Sequence, residues 1–248
     1  MFLSRFVPQG WLVPARYYYH LITRALEDEV GYLPTLINRK GVTIDVGAFN
    51  GDYSYALAKL SKSVMCFEPQ PALAEMISRY KNDKIKVFNI GLSDTQGSLE
   101  LHIPVIDGVL NRPLASFRNI EGPCQTMTIP VNRMDDFNFT DVTFIKIDVE
   151  GYESKVVAGA KETILRETPV LLIEIEQRHL NDMGLSVDDV FKQVLDMNYR
   201  GFYLKNGALK DLNTFSYAND QEPFLDCVHS KNYINNFIFK PAGKDSSG

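Results

Sequence analysis

The sequence predicts an open α/β fold, a mostly parallel sheet with helices on both of its faces. Three observations carry this. From Gly41 onward, short apolar runs rich in β-branched residues alternate with amphipathic stretches of helical period. The first of these runs ends in a glycine-bearing turn that opens directly into a helix. A chain of 248 residues, 45% hydrophobic and 23% charged, suits one α/β domain with additions.

The elements follow in order. Residues 1–40 read as an aromatic-rich extension, helical in parts between Trp11 and Asn38. Its Tyr17-Tyr18-Tyr19 run is expected to pack against the core, the alternative being a partner surface or a substrate mouth. Val42–Val46 is a short buried strand. Asp52–Leu60 fits a helix, with Tyr53, Ala56, Leu57 and Leu60 at i, i+3, i+4 and i+7. Val64–Phe67 is a second strand, Pro69–Tyr80 a second helix with Pro71 near its first turn, and Ile85–Ile90 a third strand. Lengths of this kind suit βαβ crossovers, hence parallel strands.

The alternation then breaks. Ser98–Ile103 and Thr126–Val131 read as extra strands around a polar stretch, residues 104–123, that is long for a plain connection and is expected to be a lid or substrate loop. It resumes with a strand at Val142–Ile147, a helix from Ser154 to Arg166 and a strand at Val170–Ile175. A helix at Val187–Asp196 and late strands at Tyr199–Leu204 and Asn235–Phe239 complete a main domain over residues 41–242. The polar end, residues 243–248, reads as a disordered tail.

Composition excludes several classes. Twenty-six basic against 31 acidic residues leave a formal net charge of −5, so no broad basic face is available for nucleic acid. Cys66, Cys124 and Cys227 are odd in number and far apart, which argues against both a disulfide framework and a CxxC metal site. Met1–Pro8 lacks a long apolar run before a small-residue cleavage site, and no stretch approaches the ~18 apolar residues of a membrane span. A reduced, cytoplasmic protein with no transmembrane segment is expected, and a homo-oligomer is left open.

The informative turn is Asp45-Val46-Gly47-Ala48-Phe49-Asn50-Gly51. Glycines between strand and helix let the chain turn sharply and bring N–H groups to a ligand. A nicotinamide-binding turn would read G-x-G-x-x-G; here Asp45 holds the first glycine position and the second gap is one residue too long. A carboxylate would repel a pyrophosphate but suits the amino group and sulfonium of S-adenosyl-L-methionine (AdoMet). Glu68, at the end of the second strand and roughly 20 residues further on, is placed for ribose hydroxyls. The pattern predicts a Rossmann-like nucleoside pocket; the bland alternative is a structural turn in which Asp45 only caps the helix.

From Thr43 to Glu176 the chain resembles the FkbM family of AdoMet-dependent methyltransferases. Four blocks carry the resemblance: residues 45–51, Phe67-Glu68-Pro69, Asn89-Ile90-Gly91-Leu92-Ser93-Asp94, and the run from Phe144 through Asp148-Val149-Glu150-Gly151-Tyr152-Glu153. It implies the class I methyltransferase fold, a mostly parallel seven-stranded sheet with an antiparallel strand at one edge. It further implies Asp45, Gly47 and Gly51 around the methionine part of AdoMet, with Asn50, Tyr53 and Ser54 beside them. Glu68 would hold the ribose, Asn89 and Gly91 would lie near adenine or ribose, and Asp148 could also contact the cofactor. Phe49-Asn50 departs from the family pattern, which more usually has Asn followed by an aliphatic residue.

Family resemblance points to hydroxyls of sugars, glycans or other natural products as acceptors. An alcohol is a weak nucleophile, so a positioned base is expected at the carboxyl ends of the central strands. Glu150 and Asp148 stand first, His179 second and Glu176 third, with Glu174 in the same cluster and Glu153 either a site residue or a helix cap. A divalent ion on Asp148, Glu150 and Glu176 would be chemically allowed, but no spacing demands one and none is expected. Arg112 and Arg118 could meet an anionic acceptor, although solvated loop charges are the plainer reading. The expected activity is AdoMet-dependent O-methyl transfer. Its competitors are a non-catalytic AdoMet-binding scaffold and, against the turn chemistry, an NAD-dependent oxidoreductase.

Overall fold

The computed structural model describes residues 7–228 and 230–243. The leader reading of residues 1–6 and the tail expectation from residue 244 onward lie outside the described residues.

Helices α1 (Leu12–Thr23) and α2 (Asp28–Leu36) precede β1 (Val42–Val46), α3 (Asp52–Leu60), β2 (Ser63–Phe67), α4 (Pro71–Ser78) and β3 (Ile85–Phe88). A ribbon follows: β4 (Gly91–Leu92), β5 (Gly97–Ile106), β6 (Val109–Leu110) and β7 (Cys124–Asn132). The chain then runs through β8 (Val142–Ile147), α5 (Glu153–Gly159), α6 (Lys161–Glu167), β9 (Val170–Glu174), α7 (Gln177–Leu180) and α8 (Val187–Leu195). It closes with β10 (Tyr199–Lys205), β11 (Ala208–Asp211), α9 (Tyr217–Asp220) and β12 (Asn236–Pro241).

The main sheet has the order β11-β10-β12-β9-β8-β1-β2-β3. From β9 to β3 every pair is parallel, as the βαβ rhythm predicts. The sheet has eight strands rather than seven, and the antiparallel strand is not confined to an edge: β12 inserts between β9 and β10, antiparallel to both. The eighth strand, β11, pairs with β10 across Lys205-Asn206-Gly207-Ala208. Asn206 and Gly207 take φ of 54° and 72°, the paired left-handed residues of a tight hairpin.

Period-two alternation assigns the two faces. Ile145, Ile147, Leu171, Ile173, Phe237 and Phe239 point to one side, where Val156, Val157, Ile164 and Val190 cover them. Phe144, Leu172 and Ile238 point to the other, where Leu33, Leu36 and Leu57 close the second core. Each such side chain contributes roughly 1.5–3 kcal/mol by leaving water. The extension is thus part of the packed body: α1 and α2 cover this second face. Of the three tyrosines, Tyr17 is buried with its ring 4.8 Å from that of Tyr55. Tyr18 and Tyr19 remain about half exposed.

The single helix expected over Ser154–Arg166 is two. Gly159 lies so close to β4 that a Cβ there would stand 1.9 Å from the Ser93 carbonyl oxygen. The helix stops at this contact and restarts at Lys161, where the Asp135 carboxylate accepts from Glu162 N (3.1 Å) and Thr163 N (2.8 Å). The stretch 104–123 folds back on the ribbon, with Ser116 and His102 exchanging backbone hydrogen bonds of 2.8 and 3.0 Å. Its middle thereby reaches the carboxyl end of the main sheet.

Candidate functional site

A cavity of about 890 Å³ opens where β1, β2, β8 and β9 end, the crevice that open α/β sheets use for ligands. Its walls include Gly47, Phe49, Glu68, Asp148, Glu150 and Glu176. The 104–123 stretch supplies further lining from Asn111 to Phe117.

The β1 side is made by backbone. Gly47, Phe49 and Gly51 all have positive φ, at 76°, 46° and 79°. A Cβ on Gly47 would stand 1.7 Å from the carbonyl oxygen of Asp148, so the ends of β1 and β8 meet only because this residue is glycine. Glu68 accepts from Phe49 N and Gln70 N, each at 2.8 Å, and so fixes the turn to the end of β2. Burial pushes its carboxyl up to about 7 despite those two donors.

Several residues expected around a cofactor stand behind this wall. Asp45 is 0% exposed, beneath the cavity; one oxygen accepts from Ser54 Oγ at 2.6 Å and the other has no partner among the described residues. Burial raises its carboxyl. Asn50 accepts from Arg16, Gly51 starts α3, and the Tyr53 hydroxyl donates to Glu27 at 2.6 Å. Asn89 Nδ2 donates to the carbonyls of Glu68 and Pro69 at 2.9 and 3.0 Å. Gly91 lies under the Phe117 ring, which an added Cβ would meet at 2.4 Å.

The β8 side is made by side chains. Lys146 is buried in the strand and puts Nζ 2.7 Å from Asp148 Oδ2 and 4.6 Å from the centre of the Tyr53 ring. Burial alone would favour its neutral form, but Asp148, Asp45 and Glu27 outweigh burial and hold it charged. Glu150 follows with φ of 55°, a left-handed backbone without glycine. Ser116 Oγ and Arg118 Nε secure that conformation by donating to its carbonyl at 2.8 and 3.0 Å. Its carboxyl lines the cavity and meets His179 Nδ1 at 3.1 Å. Burial, followed by the charges of Asp148, Glu176 and Glu153, raises the Glu150 carboxyl well above the usual range. His179 stands behind Glu150 and outside the cavity wall, and burial takes its imidazole down to about 4.

The remaining acids divide by partner. Glu174 lines the cavity, accepts from Asn235, and is raised by burial and by Asp148. Glu176 would also be raised by burial, but hydrogen bonds from Arg178 and Tyr233 hold it below the usual value. It is an ionised anchor rather than a group poised near neutral pH. Glu153 accepts from Gly151 N (2.9 Å) and Val149 N (3.4 Å) and braces the loop; burial raises its carboxyl to about 7. Arg112 lines the cavity and bonds to Gln70, whereas Arg118 ties Glu150 to Asp182 behind the wall. Among the described residues no group of three or more His, Cys, Asp or Glu is arranged to hold a metal ion.

Sequence reasoning missed Glu27, Lys146, Tyr233 and Asn235. Lys146 had a signal, a lone cation inside the apolar run Val142–Ile147. The other three arrive through long-range packing and had none.

A family model, the methyltransferase FkbM domain, matches residues 45–201. The 2-O-methyltransferase NoeI of Sinorhizobium fredii is 26% identical over 178 residues, 63% of this chain and 70% of that protein. Among solved structures, the methyltransferase FkbM from Methylobacillus flagellatus KT superposes with a TM-score of 0.52 at 18% identity. That alignment covers 81% of this chain and 43% of the other, so the chain spans less than half the length of that solved relative. The structural likeness carries the fold, and the family match covers both walls of the cavity: the chain belongs to the FkbM methyltransferase family.

Proposed function

We propose that this chain is an AdoMet-dependent O-methyltransferase acting on a hydroxyl of a sugar, glycan or other natural product. The observation that carries this reading is Glu150: a carboxyl on strained backbone, raised in pKa, facing the same cavity as the Gly47 turn and Glu68.

The residues at the β1 end fit the cofactor. The glycine turn clears a close approach, Glu68 offers the free lone pairs of its fixed carboxylate to ribose hydroxyls, and Asp45 keeps a buried oxygen without a partner. Glu68, in the cavity wall, suits ribose hydroxyls or a cationic ligand and opposes a pyrophosphate. When bound, AdoMet would supply an electrophilic methyl group on a sulfonium.

The chain's own work is alignment and proton removal. The cavity encloses the acceptor, which limits competing water. Glu150 takes the hydroxyl proton as oxygen becomes the nucleophile, a role worth roughly 10²–10⁴ in rate. His179 Nδ1 fixes the Glu150 carboxyl from behind, and Lys146 compensates the negative charge of Asp148 beneath it. The similarity to NoeI, named a 2-O-methyltransferase, supports oxygen as the methylated atom. A scaffold without catalysis would have no use for a strained acidic loop in the cavity wall.

Thermal unfolding tests the cofactor assignment. AdoMet and its demethylated product should each raise the melting temperature while NAD leaves it unchanged. Stabilisation by NAD alone would overturn the assignment.

A further inference from the structure

Helix α1 carries apolar side chains on two opposite faces. Val13, Pro14 and Tyr17 turn inward and are buried. Ile22 and the N-cap residue Trp11 turn outward, 81% and 68% exposed, with Tyr18 at 48% and Tyr19 at 52%. Ala15, Tyr18 and Ile22 follow the spacing i, i+3, i+7, which places them on one stripe of α1, and Trp11 is the N-cap residue four positions before Ala15. The helix's polar residues do not occupy that stripe: Arg16 reaches Asn50, and His20 Nδ1 lies 2.8 Å from Asp52. A surface helix ordinarily shows water its polar side; this one shows water an aromatic and aliphatic side.

Charge supplies the second observation. Residues 7–26 contain no acid, and with Arg16 turned inward to Asn50 their exposed cation is Arg24. The exposed Lys59 lies beside the stripe, its Nζ 5.2 Å from the centre of the Tyr18 ring. Arg24 caps the carboxyl end of α1 and, among the described residues, has no acidic partner. Tryptophan and tyrosine rings flanked by arginine and lysine are the side chains that settle at the headgroup level of anionic lipid.

We propose that the outer face of α1 docks on an anionic lipid surface, lying in the plane of the interface. Docking is peripheral, since among the described residues no helix is long and apolar enough to cross a membrane. Arg24, Ala25 and Leu26, at the end of α1, line the cavity, so the docked protein would hold its cavity mouth near the headgroups. A symmetric contact between two copies through this stripe would instead set the basic flanks against each other.

The chain has a single tryptophan, Trp11, at the head of the stripe, so the unmodified protein reports on the proposal. Vesicles of equal parts phosphatidylcholine and phosphatidylglycerol should shift Trp11 emission to the blue, and bromine on the upper acyl carbons should quench it. Phosphatidylcholine alone should do neither, and added salt should weaken the effect. Ile22→Ser should lower the apparent vesicle affinity about tenfold while melting temperature and turnover of a water-soluble acceptor stay unchanged. Three results would overturn the proposal. One is emission unmoved by anionic vesicles. Another is emission already blue in dilute, lipid-free protein, which would mean that the stripe is not open to water. The third is a blue shift that grows with protein concentration without lipid, which would assign the stripe to a second copy.

Discussion

At the end of β1 the protein shapes its cavity with backbone: a glycine in contact with the neighbouring strand, three positive φ angles, and a glutamate fixed by two N–H groups. At the end of β8 it uses side chains: a buried lysine, several acids and a histidine, gathered from β8, β9 and the segments after them. The first wall is built by geometry, strictest at Gly47, where a Cβ has no room. The second is built by electrostatics, so its members differ in consequence although they look alike in sequence. Glu176 is held ionised by Arg178 and Tyr233, while Glu150, beyond the end of the neighbouring strand, is raised.

The largest effect should come from the backbone wall. Gly47→Ala forces a Cβ to 1.7 Å from a backbone oxygen at φ of 76°, where nothing flexible can yield. Urea unfolding should show a loss of at least about 4 kcal/mol or no folded protein at all. Next comes the side-chain wall. Glu150→Gln should lower kcat about 10²-fold with little change in melting temperature or AdoMet affinity. Equal turnover would remove Glu150 as the base and leave the two walls with no difference in kind.

A pH experiment sharpens the contrast. Glu153 ionises at about 7 in the folded chain against 4.5 as its ordinary value. Its contribution to stability is therefore fully present below 4.5 and is lost as pH rises through 7. Glu153→Gln should flatten that loss, gaining about 1–3 kcal/mol over the parent at pH 8 relative to pH 4.5. His179 has the opposite sign: taken from 6.5 down to about 4, its contribution is present above 6.5 and lost as pH falls through 4. Denaturant midpoints across this range check both. The smallest effect belongs to Glu68→Gln, whose amide oxygen keeps one of the two N–H contacts at the turn while its NH2 group loses the other; AdoMet affinity by calorimetry should fall about tenfold.

How much of this could be read from the chain follows the same division. The β1 turn was legible because it is local: Asp45 to Gly51 sits between a five-residue apolar strand and an amphipathic helix, and both boundaries of α3 agree with the hydrophobic period. The β8 motif was legible through resemblance, although the bracing role of Glu153 and the anchoring of Glu176 depend on partners that appear only on folding. The insertion of β12 beside β9 was not legible, because strand order is a long-range choice that no local pattern encodes. The β11 hairpin was legible in principle, since Asn206-Gly207 between two strand-like runs is a strong hairpin signal. Glu27 enters from the segment before α2 and meets Tyr53 only in the packed core.

The most direct test of the account is transfer from methyl-labelled AdoMet to a panel of glycosides, with the position of the label read by NMR. Label should appear on an acceptor oxygen, formed by the parent and strongly reduced in Glu150→Gln. Label on nitrogen or carbon, or turnover indifferent to Glu150, would contradict it.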